Sequence, residues 1–313
     1  MRYNLGSSST GLISGVAAFV LSLFFLLSCE KEVDINLKTG DPKLVVEGGI
    51  ENGYPPFVLL STSIGYFQKI DLTTLENSAV HGAEVYVSDG IKTIRLKEYS
   101  LDTGFNGANK FYYYGVVDLR NPTIPPLDSL ILGEFEKMYK LTVIYQGKTY
   151  ESHTKIPTPT PLDSVITKVP DRPDIIPNSR TLEVFFKDPD TPGNCMRYYT
   201  QRNSEPLYPA LNSVFNDEII NGKQFKTELP LAEPRSTTTR FDSLGVCYVG
   251  DTVLFKWTAI DKNVYDFWNT YEYALGTLGS PFATPIQVKS NISNGALGIW
   301  AGYGAIYDTL IAK

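Results

Sequence analysis

Three groups of residues in this chain have the types and spacing for chemistry. The first is a thiol, Cys29, at the end of an apolar run. Arg2 is the one charge before it, Leu12 to Leu27 is largely apolar, Ser28 is small, and the first acidic residue is Glu30. A basic start, an apolar core and a small residue at the cut are the build of a secretory signal, so residues 1–28 are read as removed. The second group is the compact acid pair Asp188-Pro189-Asp190. Two carboxylates can share the acid and base work of glycoside hydrolysis, but this pair sits among prolines, where solvated turn acids account for it better. The third is Cys195 with Cys247. Outside the cytoplasm two such thiols oxidise to a disulfide if the fold brings them together; otherwise they are buried small hydrophobes.

Other chemistry finds no residues to carry it. There is no Gly-x-Ser-x-Gly elbow for a serine nucleophile and no glycine loop for phosphate. His81 and His153 are the only histidines, and neither lies near a cysteine or a spaced carboxylate cluster, so neither metal nor cofactor is expected. The expectation is a protein that is not an enzyme. The net charge is −6, and −7 once residues 1–28 and their single Arg2 are gone. That balance excludes a nucleic-acid partner, which needs a basic stripe. It also excludes electrostatic docking on anionic lipid, leaving a lipid chain as the tether to a membrane.

The elements around these residues are strands. Hydrophobic residues make up 42% of the chain, with Tyr 20 and Phe 16, a composition that fills a core and favours sheet. After a polar tether at 29–42, short strands are expected at Leu44–Gly48, Phe57–Ser63, Ala83–Val87, Ile91–Leu96, Phe111–Val117, Tyr139–Tyr145 and Thr149–Lys155. Asp89-Gly90 and Gln146-Gly147 supply hairpin turns. The fold class is all-β (mainly), with an immunoglobulin-like or transthyretin-like sandwich over residues 43–156. Alternate prolines at 157–161 predict an extended, semi-rigid linker. A second β-rich domain is expected over 162–313, with strands at Ser164–Val169, Leu182–Phe186, Arg197–Gln201, Thr252–Ala259 and Leu297–Tyr303. It carries one helix near 261–275, capped by Asp261 and ended by a left-handed Gly276. The helix's apolar stripe, Val264, Phe267, Trp268, Tyr271 and Leu275, reads first as core and second as a platform on which a sugar could stack.

Ser28-Cys29 resembles a bacterial lipoprotein signal, in which the cysteine is acylated and becomes the new N-terminus. Glu30-Lys31-Glu32-Val33-Asp34 resembles the sorting signal that sends Bacteroidota lipoproteins to the outer face of the outer membrane; an ordinary solvated linker has the same residues. Asp followed by Ser or Thr and an aliphatic residue recurs at Ser129, Ser164, Ser243, Thr252 and Thr309. This resembles the acceptor motif of general O-glycosylation in that phylum, although an Asp-Ser or Asp-Thr turn also commonly opens a strand. The segments Pro42-Lys43-Leu44-Val45-Val46-Glu47-Gly48-Gly49-Ile50, Pro55-Pro56-Phe57-Val58-Leu59-Leu60-Ser61 and Val264-Tyr265-Asp266-Phe267-Trp268 are similar to the Bacteroidota lipoproteins grouped as domain of unknown function 4249. The resemblance implies a lipid-anchored accessory protein working beside a TonB-dependent receptor, and it brings no catalytic residues. A carbohydrate-binding or adhesive module is the alternative, and a hydrolase using Asp188 and Asp190 a weaker one.

Overall fold

A computed structural model describes residues 41–65, 70–103, 109–172, 176–233, 244–278, 280, 284 and 286–313. The signal, Cys29, the tether up to residue 40 and Ser243 lie outside the described residues. In chain order the elements are β1 (Leu44–Glu51), β2 (Phe57–Thr62), α1 (Leu72–Asn77), β3 (Glu84–Ser88), β4 (Thr93–Thr103), β5 (Asn109–Gly115), β6 (Met138–Tyr145) and β7 (Lys148–Lys155). They continue as β8 (Leu162–Lys168), β9 (Ser179–Lys187), β10 (Cys195–Arg202), β11 (Tyr208–Asn216), β12 (Gln224–Leu229), β13 (Cys247–Tyr248), β14 (Thr252–Ile260), α2 (Lys262–Gly276) and β15 (Leu297–Ile311). The chain is mainly β, as its composition predicts. The seven expected N-terminal strands all form, and so do the five expected after them. β11, β12, β13 and α1 carried no sequence expectation.

Eleven strands join in one sheet, in the order β11-β10-β14-β15-β1-β2-β5-β4-β3-β6-β7. A smaller sheet is centred on β9, which pairs with β8, β12 and β13. Alternation along the strands sends every second side chain into a core. Val46, Val58, Val85, Leu141 and Trp300 fill the first core. Val184, Phe186, Met196, Phe255 and Trp257 fill the second, between the β14 end of the large sheet and the small sheet. Each core holds one fully buried tryptophan whose indole N–H finds a carbonyl: Trp300 Nε1 donates to Tyr139 O at 3.1 Å and Trp257 Nε1 to Thr160 O at 3.1 Å. Gln146 and Gly147, both left-handed at φ 49° and 72°, close the β6–β7 hairpin in the twist such a two-residue turn requires.

The expected division at 157–161 is corrected by β15. This strand pairs in parallel with β1 and antiparallel with β14, so residues 43–156 and 162–313 share a sheet, and residues 41–313 form one compact unit. Tail residues Ile292, Ala296 and Trp300 complete the first core. The proline segment carries neither helix nor strand and is no free spacer, since Pro159 and Thr160 are buried. It crosses β15 on bare backbone. A Cβ on Gly302 would stand 2.3 Å from Lys155 O, and one on Gly304 would stand 1.8 Å from Pro157 O.

Helix α2 starts where its sequence says. Asp261 Oδ1 accepts from Val264 N at 3.0 Å, while Oδ2 accepts from Thr154 Oγ1 at 2.9 Å and Lys155 N at 3.1 Å, which ties the helix cap to β7. Its end differs from expectation. Gly276 is the last helical residue, without the positive φ of a left-handed cap, and Thr277 caps the helix with an ordinary right-handed backbone. Two glycine substitutions should therefore have opposite signs. Gly304→Ala is expected to destabilise by more than about 2 kcal/mol through the clash with Pro157. Gly276→Ala meets nothing within 4 Å and should stabilise by about 0.5–1 kcal/mol. Denaturant midpoints of the two variants against the parent check both signs.

Candidate functional site

One face of the large sheet is left partly uncovered, and alternation decides which side chains stand on it. On β1 these are Glu47, Gly49 and Glu51, opposite in direction to the core residues Val46 and Ile50. The parallel register pairs Glu51 with Tyr303, and Tyr307 lies on the same face two alternations further along β15. Tyr307 pairs with Lys256 on β14; Lys256 pairs with Tyr199 on β10, and Thr258 with Arg197. Helix α2 covers one end of this face, where Val264 and Phe267 bury Ile260, Cys195, Ile299 and Ala301. It stops short of the other end, and Trp268 and Tyr271 become a wall. Tyr54 and Pro55 from the β1–β2 turn, Phe57 at the start of β2, Tyr208 and Pro209 of β11, and Glu233 complete a cavity of about 850 Å³.

The helix stripe thus divides between the two roles its sequence allows. Val264 and Phe267 are core, whereas Trp268 and Tyr271 are half-buried and line the cavity. Their rings meet edge to face with centroids 5.6 Å apart, and Trp268 Nε1 donates to the Tyr303 hydroxyl at 3.1 Å. The other two tryptophans are fully buried and take no part in any surface platform.

Among the described residues, the two cations that line the cavity, Arg197 and Lys256, are held internally. Arg197 is buried; its Nε donates to Ser213 Oγ at 2.9 Å and its Nη1 to the Tyr199 hydroxyl at 3.0 Å, and Nη2 lies 3.7 Å from Glu272 of α2. Its guanidinium lies 3.5 Å from the centre of the Trp268 ring. Ser213 N also donates to Glu272 at 2.8 Å, which locks the helix to the sheet. Lys256 pairs with one oxygen of Glu51, whose other oxygen accepts from the Tyr307 hydroxyl. The ammonium stands 5.1, 5.5 and 5.9 Å from the ring centres of Tyr199, Tyr307 and Tyr303. Burial, then the bond to Glu51, holds the Tyr307 hydroxyl above its ordinary pKa. These rings and charges cannot slide independently, so the walls are preorganised.

Two carboxylates remain less satisfied. Glu47 is exposed to solvent yet lines the cavity, which takes part of its hydration away. That desolvation raises its pKa, and Arg197 pulls it partly back. No hydrogen bond or ion pair joins it to another side chain among the described residues. Glu233 Oε1 is buried without a hydrogen-bond partner, 4.0 Å from Arg202 Nη1, and burial raises its pKa too.

The residues singled out from sequence lie elsewhere. Asp188 is fully buried at the end of β9 instead of solvated. Its Oδ2 accepts from Gly222 N at 3.3 Å and its Oδ1 has no partner, while Asp190 is exposed. Neither lines the cavity. Cys195 and Cys247 are free buried thiols, which corrects the disulfide reading. They cannot meet because they belong to different layers. Cys195 packs under α2 on the large sheet, and Cys247 sits on β13 against β9 in the second core. Ser129, Ser164, Thr252 and Thr309 are all exposed; Thr252 opens β14, as the turn reading has it, while Thr309 lies within β15. Among the described residues no cluster of three metal-ligating side chains occurs. Charged residues set between large apolar neighbours, Arg197 between Met196 and Tyr198, and Lys256 between Phe255 and Trp257, were the sequence signal for the cavity.

Fold and cavity together define a mainly β protein with one aromatic, internally charge-paired hollow of ligand size. Residues 30–305 match the family described as a domain of unknown function (DUF4249), and the chain belongs to that family. No curated protein matches it.

Desolvation pushes the thiols of Cys195 and Cys247 up to about 11, so at neutral pH neither is a reactive thiolate. Iodoacetamide should leave both unmodified in the native chain and label both after denaturation, and a reductant should leave the melting temperature unchanged; mass spectrometry and a thermal melt check this. Glu47 gives a pH test. Its folded pKa lies above the ordinary 4.5, so the folded state binds this proton more tightly than the unfolded state does. Its contribution to stability therefore declines as pH rises from the ordinary value through the raised one. Glu47→Gln should make the chain more stable than the parent at about pH 7, with the gain gone below about pH 4. Urea midpoints at the two pH values measure it.

Proposed function

We propose that this chain is a lipoprotein of a Bacteroidota outer membrane, held by a lipid on Cys29 and facing the cell exterior. In this reading it binds a ligand in the aromatic cavity without altering it, as an accessory of a TonB-dependent receptor. The cavity is the observation that carries the reading. Rings and paired charges on six strands and a helix make a rigid, concave, largely apolar surface with a few fixed polar groups, the usual build of a small-molecule site. The Arg2-to-Cys29 segment supports the anchor, and among the described residues no helix is long and apolar enough to cross a membrane.

A carbohydrate is the second reading, favoured by the exposed faces of Tyr54 and Phe57 at the rim beside Trp268 and Tyr271. Sugars stack on such faces, and a glycan array with the detergent-solubilised chain separates the two readings.

Membrane fractionation and mild-detergent pull-down of the untagged cellular protein test the main proposal. The parent should sediment with outer membranes and bring down a TonB-dependent receptor, and Cys29→Ala should leave the membrane fraction or keep its signal. A parent protein that purifies alone removes the receptor, and Cys29→Ala that stays anchored and processed removes the lipid.

A further inference from the structure

Resting on the cavity as the ligand site, the charges around it narrow the ligand class. Among the described residues that line it, an anion entering would look for a free cation and find none. Arg197 spends its guanidinium edge on Ser213, Tyr199 and Glu272 and its face on Trp268. Lys256 is paired with Glu51 beneath three tyrosine rings. Freeing either would strand its carboxylate in a low-dielectric site, which costs several kcal/mol in comparable buried pairs. The unspent charge is negative: Glu47 is open to the cavity without a side-chain partner, whereas Glu233 has Arg202 beside it.

The walls point the same way. A tyrosine or tryptophan ring presents a negative face, and the cavity already uses that property for its own Arg197 and Lys256. Remaining ring surface at Tyr271, Tyr54 and Phe57 is available to an incoming group.

We propose that the cavity takes an organic cation, a protonated amine or guanidinium on an apolar or aromatic body, with the positive group at Glu47 and the body along the ring wall. The ligand cation supplies the partner that Glu47 lacks, and the ligand body displaces water from the rings. A free metabolite and a side chain of a peptide share this chemistry.

Three probes with one ring and different charge test it: 2-phenylethylamine, 2-phenylethanol and phenylacetate, titrated by ligand-observed NMR into the detergent-solubilised full-length chain. The amine should bind about tenfold tighter than the alcohol, with phenylacetate weakest, as expected for one partly enclosed ion pair with a ring contact. Glu47→Gln, which keeps shape and should not impair folding, should bring the amine to the level of the alcohol and leave the alcohol unchanged. Equal binding of the three, a preference for phenylacetate, or no binding of any overturns the proposal. Trp268→Ala, with its fold checked by circular dichroism, distinguishes the two ways of failing. If the alcohol binds, is indifferent to Glu47→Gln and is lost with Trp268→Ala, the cation is wrong and the cavity stands as the site. If a preference for the amine survives both substitutions, the amine binds elsewhere and the cavity reading falls with it. A competition with Gly-Lys-Gly and acetyl-lysine forms of the same peptide then separates the peptide source from the free amine: displacement by the charged peptide alone assigns a peptide, and displacement by neither assigns the metabolite.

Discussion

The hydrogen bonds along both edges of β15 are the constraint on which the molecule depends. This strand brings the last segment of the chain between the first strand and β14, and so turns two groups of strands into one sheet. Trp300 drops from it into one core, while its opposite face carries Tyr303 and Tyr307 into the cavity. The linker must cross it closely, which is why Gly302 and Gly304 carry no side chain. Gly298, at φ 101°, would put a Cβ 1.8 Å from Val46 O and shows the same closeness on the β1 side. Contacts between chain ends form only after a long loop has closed, so this pairing is an expensive one to nucleate and belongs late in folding.

The cavity follows from that pairing by simple geometry. In adjacent strands, paired residues share a face, so one register decides that Glu51 meets Tyr303, that Tyr307 meets Lys256, and that Lys256 meets Tyr199. A slip of β15 by one residue would send Tyr303 and Tyr307 to the core and bring Trp300 out. Charges that are costly to bury are then paired across strands: Lys256 with Glu51, and Arg197 with Glu272 of the covering helix. Each pair fixes aromatic rings as well as two charges, three rings around Lys256 and two around Arg197, so the wall is held by the same contacts that satisfy the buried ions. Glu47 is the exception, an exposed carboxylate on the cavity without a side-chain partner, and its partial loss of hydration disfavours the charged form unless something else supplies the opposite charge.

Other parts of the chain start from local rules. Hairpins β3–β4 and β6–β7 are set by their turns, with Asp89 Oδ1 accepting from Ile91 N and Lys92 N in one and two left-handed residues in the other. Helix α2 is set by its cap and its stripe, and Phe267 and Tyr271 stack one turn apart with ring centres 5.9 Å apart. Asp188 shows how a local rule can mislead. Prolines around it signal a turn, and the turn exists, but the Gly222 loop folds over it and takes the water away.

The amino-acid sequence by itself determined the strand-rich class, most of the strands, the hairpin turns and the start of α2, because alternation, turn residues and an N-cap act within a few residues. It also carried the family resemblance, since that rests on strings of neighbouring residues. Weakly patterned β11 and β12 escaped it, as did two-residue β13, which exists only because β9 offers a partner. Whether 157–161 divides two domains, whether Cys195 meets Cys247, and which polar residues share a face were decided by tertiary pairing. These depend on register between strands far apart in the chain, and a single sequence does not state which strand lies beside which. Arg197, Lys256, Glu47 and Glu51 were therefore visible as charges inside strands, and only the pairing of β1, β15, β14 and β10 made them one site.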